Sequence, residues 1–186
     1  MLINLKNNII LIIINLFFFN CVYSDDNMFD NFDNKNTSKW EFISDNIMGG
    51  VSFGKIDFLS ENKQHFLRMT GFVSLENNGG FIQVRRKVSR KKNAIKNGIK
   101  VIVRGNDMNY YIHLRTKFTL LPWQYYQTKI NVTEDWEEAN LKIKDFKRSG
   151  FLLPKFINAK NITSIAIVAF GKEHQARIDV KKVMFY

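Results

Sequence analysis

Six side chains in this sequence have the chemistry of ligand recognition: Asp45, Asn46, Arg85, Arg115, Trp123 and Tyr125. Asp45 and Asn46 lie in the stretch W-E-F-I-S-D-N-I-M-G-G-V-S, from Trp40 to Ser52. There they either offer oxygens to a ligand or a calcium ion, or bond nearby amides and set a turn beside Gly49 and Gly50. Arg85 and Arg115 each end an alternating segment on its polar side. A guanidinium there can grip a carboxylate, a phosphate or sugar hydroxyls. The structural alternative is an internal ion pair with Asp45 that locks its loop to a sheet. Trp123 and Tyr125 follow Pro122, where aromatics stack on sugar rings or anchor a protein partner. Alternatively Trp123 and Tyr126 fill the core and leave only Tyr125 outside.

Catalytic constellations are weaker. His65, His113 and His174 are scattered without metal-ligand spacing, and His113 reads as a surface strand residue. Ser52, His113 and Asp45 make a triad only on paper, because no nucleophile elbow surrounds the serine. Asp45 with Asp57 or Asp107 would give a carboxylate pair, but a glycosidase needs two carboxyls at a set separation and no spacing here requires it. No glycine-rich phosphate loop precedes a helix. The expectation is no catalytic residue, no metal and no cofactor.

The segments that must hold these side chains alternate with period two. Phe66 to Val73 alternates loosely; Ile82 and Val84 share a face, as do Ile99, Val101 and Val103. Tyr110, Ile112 and Leu114 oppose Tyr111, His113 and Arg115; Tyr126, Thr128 and Ile130 oppose Tyr125, Gln127 and Lys129. Ala139, Leu141 and Ile143 form another run; Ile165, Ile167 and Ala169 follow, then Ile178 and Val180, then Val183 and Phe185. Turn residues fall between them, including Asn77-Asn78-Gly79-Gly80, Gly105-Asn106-Asp107 and Gly171. Many short strands with no long helical stripe predict an all-β antiparallel sandwich or jelly roll, a single domain over residues 25–186.

Residues 1–24 read as an export signal. Lys6 precedes an apolar run of about eleven residues, and Val22-Tyr23-Ser24 offers a cleavage site after Ser24. The run is well short of the roughly twenty residues a spanning helix needs. Cleavage removes Cys21, the only cysteine, and a bacterial periplasm is the simplest destination; a lipid anchor on Cys21 is the alternative. The 28 Lys and Arg against 17 Asp and Glu give a net charge of +11. An Asn-, Lys-, Ile- and Phe-rich composition accounts for this as scattered surface lysines; an anionic partner is the functional alternative. The densest cluster is Arg85-Arg86-Lys87 with Arg90-Lys91-Lys92 and Lys96, which could touch anionic lipid or glycan. Export argues against nucleic acid.

The order of motifs adds to this. Trp40…Ser44-Asp45-x-x-Met48-Gly49-Gly50-x-Ser52 is followed by Gly79-Gly80-Phe81-x-x-Val84-Arg85, Tyr110-x-Ile112-x-Leu114-Arg115 and Pro122-Trp123-Gln124-Tyr125-Tyr126. This resembles the family of the NADH:ubiquinone oxidoreductase (complex I) intermediate-associated protein, across roughly Phe29 to Tyr186. The resemblance implies a galactose-binding-like β-sandwich with a binding or assembly role and no established catalytic residues. It also implies that Trp40, Met48, Gly49, Gly50, Ser52, Gly79 and Gly80 are a structural motif. The chain departs from the family pattern at Gly105 to Met108, at Leu141 to Phe146, which lacks a proline, and at Gln175-Ala176-Arg177. The expected function is an exported, non-catalytic binding module that helps assemble or stabilise a protein complex in the envelope. The alternative is a lectin-like carbohydrate-binding domain, and the last in rank a glycan or ester hydrolase.

Overall fold

The computed structural model describes residues 28–33, 39–88 and 97–186. The expected export segment, Cys21 and the basic residues from Arg90 to Lys96 lie outside the described residues. Among those described, the strands are β1 (Met28–Asp30), β2 (Glu41–Ser44), β3 (Phe53–Glu61), β4 (Gln64–Val73), β5 (Phe81–Lys87) and β6 (Gly98–Gly105). They continue with β7 (Tyr110–Thr116), β8 (Tyr126–Ile130), β9 (Glu137–Lys142), β10 (Lys147–Arg148), β11 (Ile162–Phe170) and β12 (His174–Phe185).

Alternation decides which way each strand faces. Ile82 and Val84 of β5 and Tyr110, Ile112 and Leu114 of β7 are wholly buried, while their neighbours Gln83, Arg85, Tyr111 and Arg115 are only half-buried. One face of each strand enters the core and the other meets solvent. The pairings are all antiparallel and make two six-stranded sheets. The first runs β3-β4-β12-β6-β9, with β1 beside the end of β12; the second runs β10-β8-β7-β11-β5-β2. Leu67, Met69, Val101, Val103, Ile178 and Val180 of the first sheet pack with Ile82, Val84, Ile112, Leu114, Ile165 and Ile167 of the second. This is the all-β sandwich expected from the period-two pattern. Ile143 falls outside its expected strand: β9 ends at Lys142, and a 3-10 turn over Ile143–Asp145 begins there, with Ile143 N–H donating to Asn97 O at 3.0 Å.

The outer faces of the two sheets differ. On the first, Asp179 is wholly buried and accepts a fork from Arg68 (2.6 and 2.7 Å) and a third bond from Arg104 (2.9 Å). Arg104 also pairs with Glu61 and lies 4.5 Å from the Trp136 ring. This face is closed by charges that already have partners. The expected basic cluster is also partly internal: Arg86 shares the parity of Ile82 and Val84, is buried, and pairs with Asp30. The outer face of the second sheet is open and carries the site.

Candidate binding cleft

The two glycine motifs meet at one carboxylate. The chain crosses from the second sheet to the first between β2 and β3, and crosses back between β4 and β5. Ser44 opens a 3-10 turn over Asp45–Met48, its Oγ accepting from Asn46 N–H at 3.4 Å. The turn ends at Gly49, whose φ of 88° is a left-handed conformation that a side chain would strain. Asp45, 1% exposed, accepts from Ser52 N–H (2.9 Å), Ser52 Oγ–H (2.5 Å), Gly80 N–H (2.6 Å) and Phe81 N–H (3.2 Å). Ser52 Oγ in turn accepts from Ser74 N–H at 2.9 Å, so both crossings are tied. Gly50 and Gly79 flank the carboxylate so closely that a Cβ on either would collide with it. Burial alone would raise the Asp45 carboxyl; the bonds from Ser52, Gly80 and Phe81 outweigh it and hold the carboxyl below its ordinary range.

This clasp fixes one wall of a cleft of about 750 Å³. Ile47 and Met48 from the Asp45 turn, with Asn78 and Gly79, form that wall; Pro122, Trp123 and Ser149 form the opposite one. The floor comes from alternate residues of four neighbouring strands: Ile43 of β2, Gln83 and Arg85 of β5, Ser164, Ala166 and Phe170 of β11, and His113 and Arg115 of β7, continued by Tyr125 just before β8. The His113 and Tyr125 rings stack at 4.0 Å with 8° between planes, and Phe170 stands edge-on to both. Such a surface is apolar on its faces, with polar groups at its margins.

Arg115 builds the second wall. Its guanidinium donates to Thr119 O (2.8 Å), Leu121 O (3.0 Å) and Pro122 O (3.0 Å), which fix the loop that carries Trp123 in the wall. Burial lowers the Arg115 pKa, and the charge of nearby Arg85 lowers it further. Arg85 donates to Glu41 at 3.3 Å, its side chain's one hydrogen-bond partner among the described residues, and lines the cleft. Glu41 is the single carboxylate in the described lining.

His113 is buried, not the surface residue its strand position predicts, because Tyr125 and Phe170 cover it. Burial pushes its pKa down to about 4. The folded imidazole therefore stays neutral while the unfolded one, with an ordinary value of 6.5, takes up a proton. Stability from this group is fully present above pH 6.5 and is lost as pH falls toward 4, at no more than about 1.4 kcal/mol per pH unit. His113→Gln is expected to flatten that slope in urea melts across the same window; an unchanged slope would contradict neutral burial.

Of the residues predicted from sequence, Arg85, Arg115, Trp123 and Tyr125 come together in the cleft with Met48 and Gly79. Asp45 is not open to a ligand, because its carboxylate is buried and occupied by four donors. Asn46 is exposed outside the lining, and its carbonyl accepts from Gly49 N–H at 3.2 Å. Neither arginine pairs with Asp45, whose partners are backbone amides and a serine. Trp123 is 61% exposed and only Tyr126 enters the core, its hydroxyl donating to Pro154 O at 2.9 Å. Trp40, Gly49, Gly50, Ser52 and Gly80 serve packing and the clasp. Ser52 lies beneath the loop, away from His113 in the floor, so the paper triad is not assembled; Asp57 pairs with Lys55, and Asp107 lies in the β6–β7 turn. No group of three His, Cys, Asp or Glu among the described residues could hold a metal. Gln83, His113 and Phe170 were missed as lining residues. Their outward parity was readable, but their assembly into one surface depends on strand order.

Over residues 29–180 the chain matches the model of a family described as Complex I intermediate-associated protein 30. No curated protein matches it. Among solved structures, the family 11 carbohydrate-binding module from Clostridium thermocellum, in complex with a β-1,3-1,4-mixed-linked tetrasaccharide, is similar with a TM-score of 0.66 and 12% identity, covering 86% of this chain and 94% of that one. A family 30 carbohydrate-binding module of a Clostridium thermocellum cellulosomal cellulase gives 0.51 and 10%, covering 73% and 91%. An exo-β-agarase gives 0.56 and 7%, covering 86% of this chain and 25% of that one. At such identities the likeness is one of fold.

Proposed function

The chain belongs to the Complex I intermediate-associated protein 30 family, and from that premise we propose that it is an exported, non-catalytic binding module whose cleft takes an extended glycan. The carrying observation is a floor in which half-buried Tyr125 stacks on buried His113, with exposed Trp123 in the adjoining wall and Arg85 and Gln83 at the edge. Aromatic faces match the apolar faces of sugar rings, and the guanidinium and amide match their hydroxyls. The two nearby guanidiniums, offset by one carboxylate, favour a glycan that carries acidic groups. Hydrolysis of a glycosidic bond takes two carboxyls across the scissile bond; Glu41 alone, already ion-paired, supports binding over cleavage.

Affinity electrophoresis against neutral and acidic polysaccharides tests this. Tyr125→Ala and Trp123→Ala are each expected to weaken binding about tenfold or more, the equivalent of about 1.4 kcal/mol. Glu137→Ala, on the other sheet, serves as the unaffected control. Absence of binding to any polysaccharide, or binding indifferent to both aromatic substitutions, would refute the glycan reading. Family membership favours a second reading, in which the same cleft grips a protein during assembly of an envelope complex. Crosslinking in the envelope fraction that recovers one protein with the natural chain and loses it with Tyr125→Ala would support that reading.

A further inference from the structure

The strongest feature that the cleft does not use lies on its outer side, where two connections run together. The β7–β8 loop and the β10–β11 connection are joined at one end by Lys117 N–H donating to Asn161 O (2.9 Å). At the other end Ser149 N–H donates to Tyr125 O (2.8 Å) and Ser149 Oγ–H to Trp123 O (3.1 Å). Their tips project large apolar side chains: Leu120 and Phe151 are each 82% exposed, Phe156 74% and Leu152 73%. Soluble surfaces seldom gather so many such groups without a partner. Residues 117–125 and 147–161 contain no Asp or Glu, but they carry Lys117, Lys147, Arg148, Lys155 and Lys160. Lys117 lies 5.0 Å from the Phe118 ring and Lys155 5.5 Å from the Phe156 ring.

We infer that this loop pair docks on an anionic phospholipid surface. Three observations select lipid. The charge is of one sign and lies beside the apolar tips, so the tips can enter the acyl boundary while the ammonium groups reach lipid phosphates. The cations are mostly lysines, which protein interfaces avoid and lipid headgroups attract. Most telling, the tip backbone is satisfied from within. Leu120 and Leu121 N–H donate to Gln124 Oε1 (2.8 and 3.1 Å), Arg115 takes the carbonyls of Thr119, Leu121 and Pro122, and Arg148 takes those of Phe151 (2.9 Å) and Leu153 (2.7 Å). Irregular backbone resists entry into lipid because its polar groups lose water; these loops have already replaced much of that water with their own side chains. The same bonds hold the tips rigid, so little freedom is lost on docking.

The test is flotation of the full chain with phosphatidylcholine vesicles with and without phosphatidylserine. The natural chain is expected to float with the anionic vesicles. Leu120→Ser/Phe151→Ser/Leu152→Ser is expected to lower that partition at least about tenfold, and Lys117→Ser/Lys155→Ser about tenfold on anionic vesicles only. Any contribution of residues 1–27 is common to all the chains compared. Brominated lipid should quench Trp123 in the natural chain and lose that effect in the triple variant. The lysine pair is exposed and decides the matter if the triple variant melts early. None of the five substituted side chains lines the cleft, so polysaccharide binding is read separately and neither result depends on the other. Equal flotation of all three chains overturns the inference. So does self-association in sedimentation that the triple variant abolishes without any flotation, which would assign the patch to a second copy.

Discussion

Asp45→Ala is expected to lower the melting temperature by about 10 °C or more. The substitution strands the buried N–H groups of Ser52 and Gly80 and the half-buried N–H of Phe81, and leaves the Ser52 hydroxyl only Ser74 O, at 3.2 Å, as acceptor. Each unsatisfied buried donor costs about 1–3 kcal/mol, and some relaxation toward solvent brings the total to about 3–5 kcal/mol. The loss extends beyond one loop, because both sheet crossings hang from this carboxylate and the Ile47–Met48 wall of the cleft rides on one of them. Calorimetry of Asp45→Ala, together with polysaccharide binding below its melting point, reads both effects. Asp45→Asn separates charge from shape: one acceptor remains, but an NH₂ now faces amide donors. Acid titration gives an independent check. The folded pKa lies below the ordinary 3.8, so stability from this group is present above that value and is lost as pH falls below it. Asp45→Asn should remove that acid-limb contribution, and an unchanged acid limb would mean the clasp bonds are not made in solution.

That clasp shows what was legible in the sequence. The glycines and the Asp-Asn pair announced a backbone role, and a turn was one of the two readings open from the start. The other half of the bond set, Gly80 and Phe81, lies thirty-five and thirty-six positions away. Nothing local encodes which long-range amides a buried carboxylate will meet. The strands were more readable because burial has a period. In β12 the inward set changes parity between Val180 and Val183, and the structure has a register shift between Val180 and Lys182 against β6. The inward set announced the strand; the irregularity that its change of parity marks became visible only in the pairing with β6. By contrast β3 is an edge strand with mostly exposed residues, so its apolar pattern is faint and it was not foreseen. The cleft was half legible: parity gave Arg85, Arg115 and Tyr125 their outward direction, but only the order β8-β7-β11-β5-β2 brings them to one surface.

Arg85 and Arg86 show how far period two reaches into energetics. Their neighbouring guanidiniums read as one basic cluster, yet the pleat sends them to opposite sides. Arg85 meets solvent and the partly exposed Glu41 at 3.3 Å. Arg86 goes inward, lies 4.3 Å from the Phe29 ring, and donates to Phe29 O (3.2 Å) and to the buried Asp30 carboxylate. Asp30 also accepts from Trp40 Nε1–H and Phe32 N–H, each at 2.8 Å. Burial lowers the Arg86 pKa, and the charge and hydrogen bond of Asp30 oppose that fall. Arg86→Ala leaves a carboxylate in the interior with its countercharge gone, a defect of about 3–5 kcal/mol, or roughly 10 °C in melting temperature. Arg85→Ala removes only a surface pair, and its melting point should stay within about 3 °C of the natural chain. Adding Asp30→Asn to Arg86→Met should recover part of the loss, because the stranded charge disappears while Trp40 and Phe32 keep an acceptor. Hydrogen exchange in β1 should rise in Arg86→Ala and stay unchanged in Arg85→Ala. Equal melting points for the two alanine variants would mean that β1 is not anchored through Arg86, and that the two arginines share one solvated face after all.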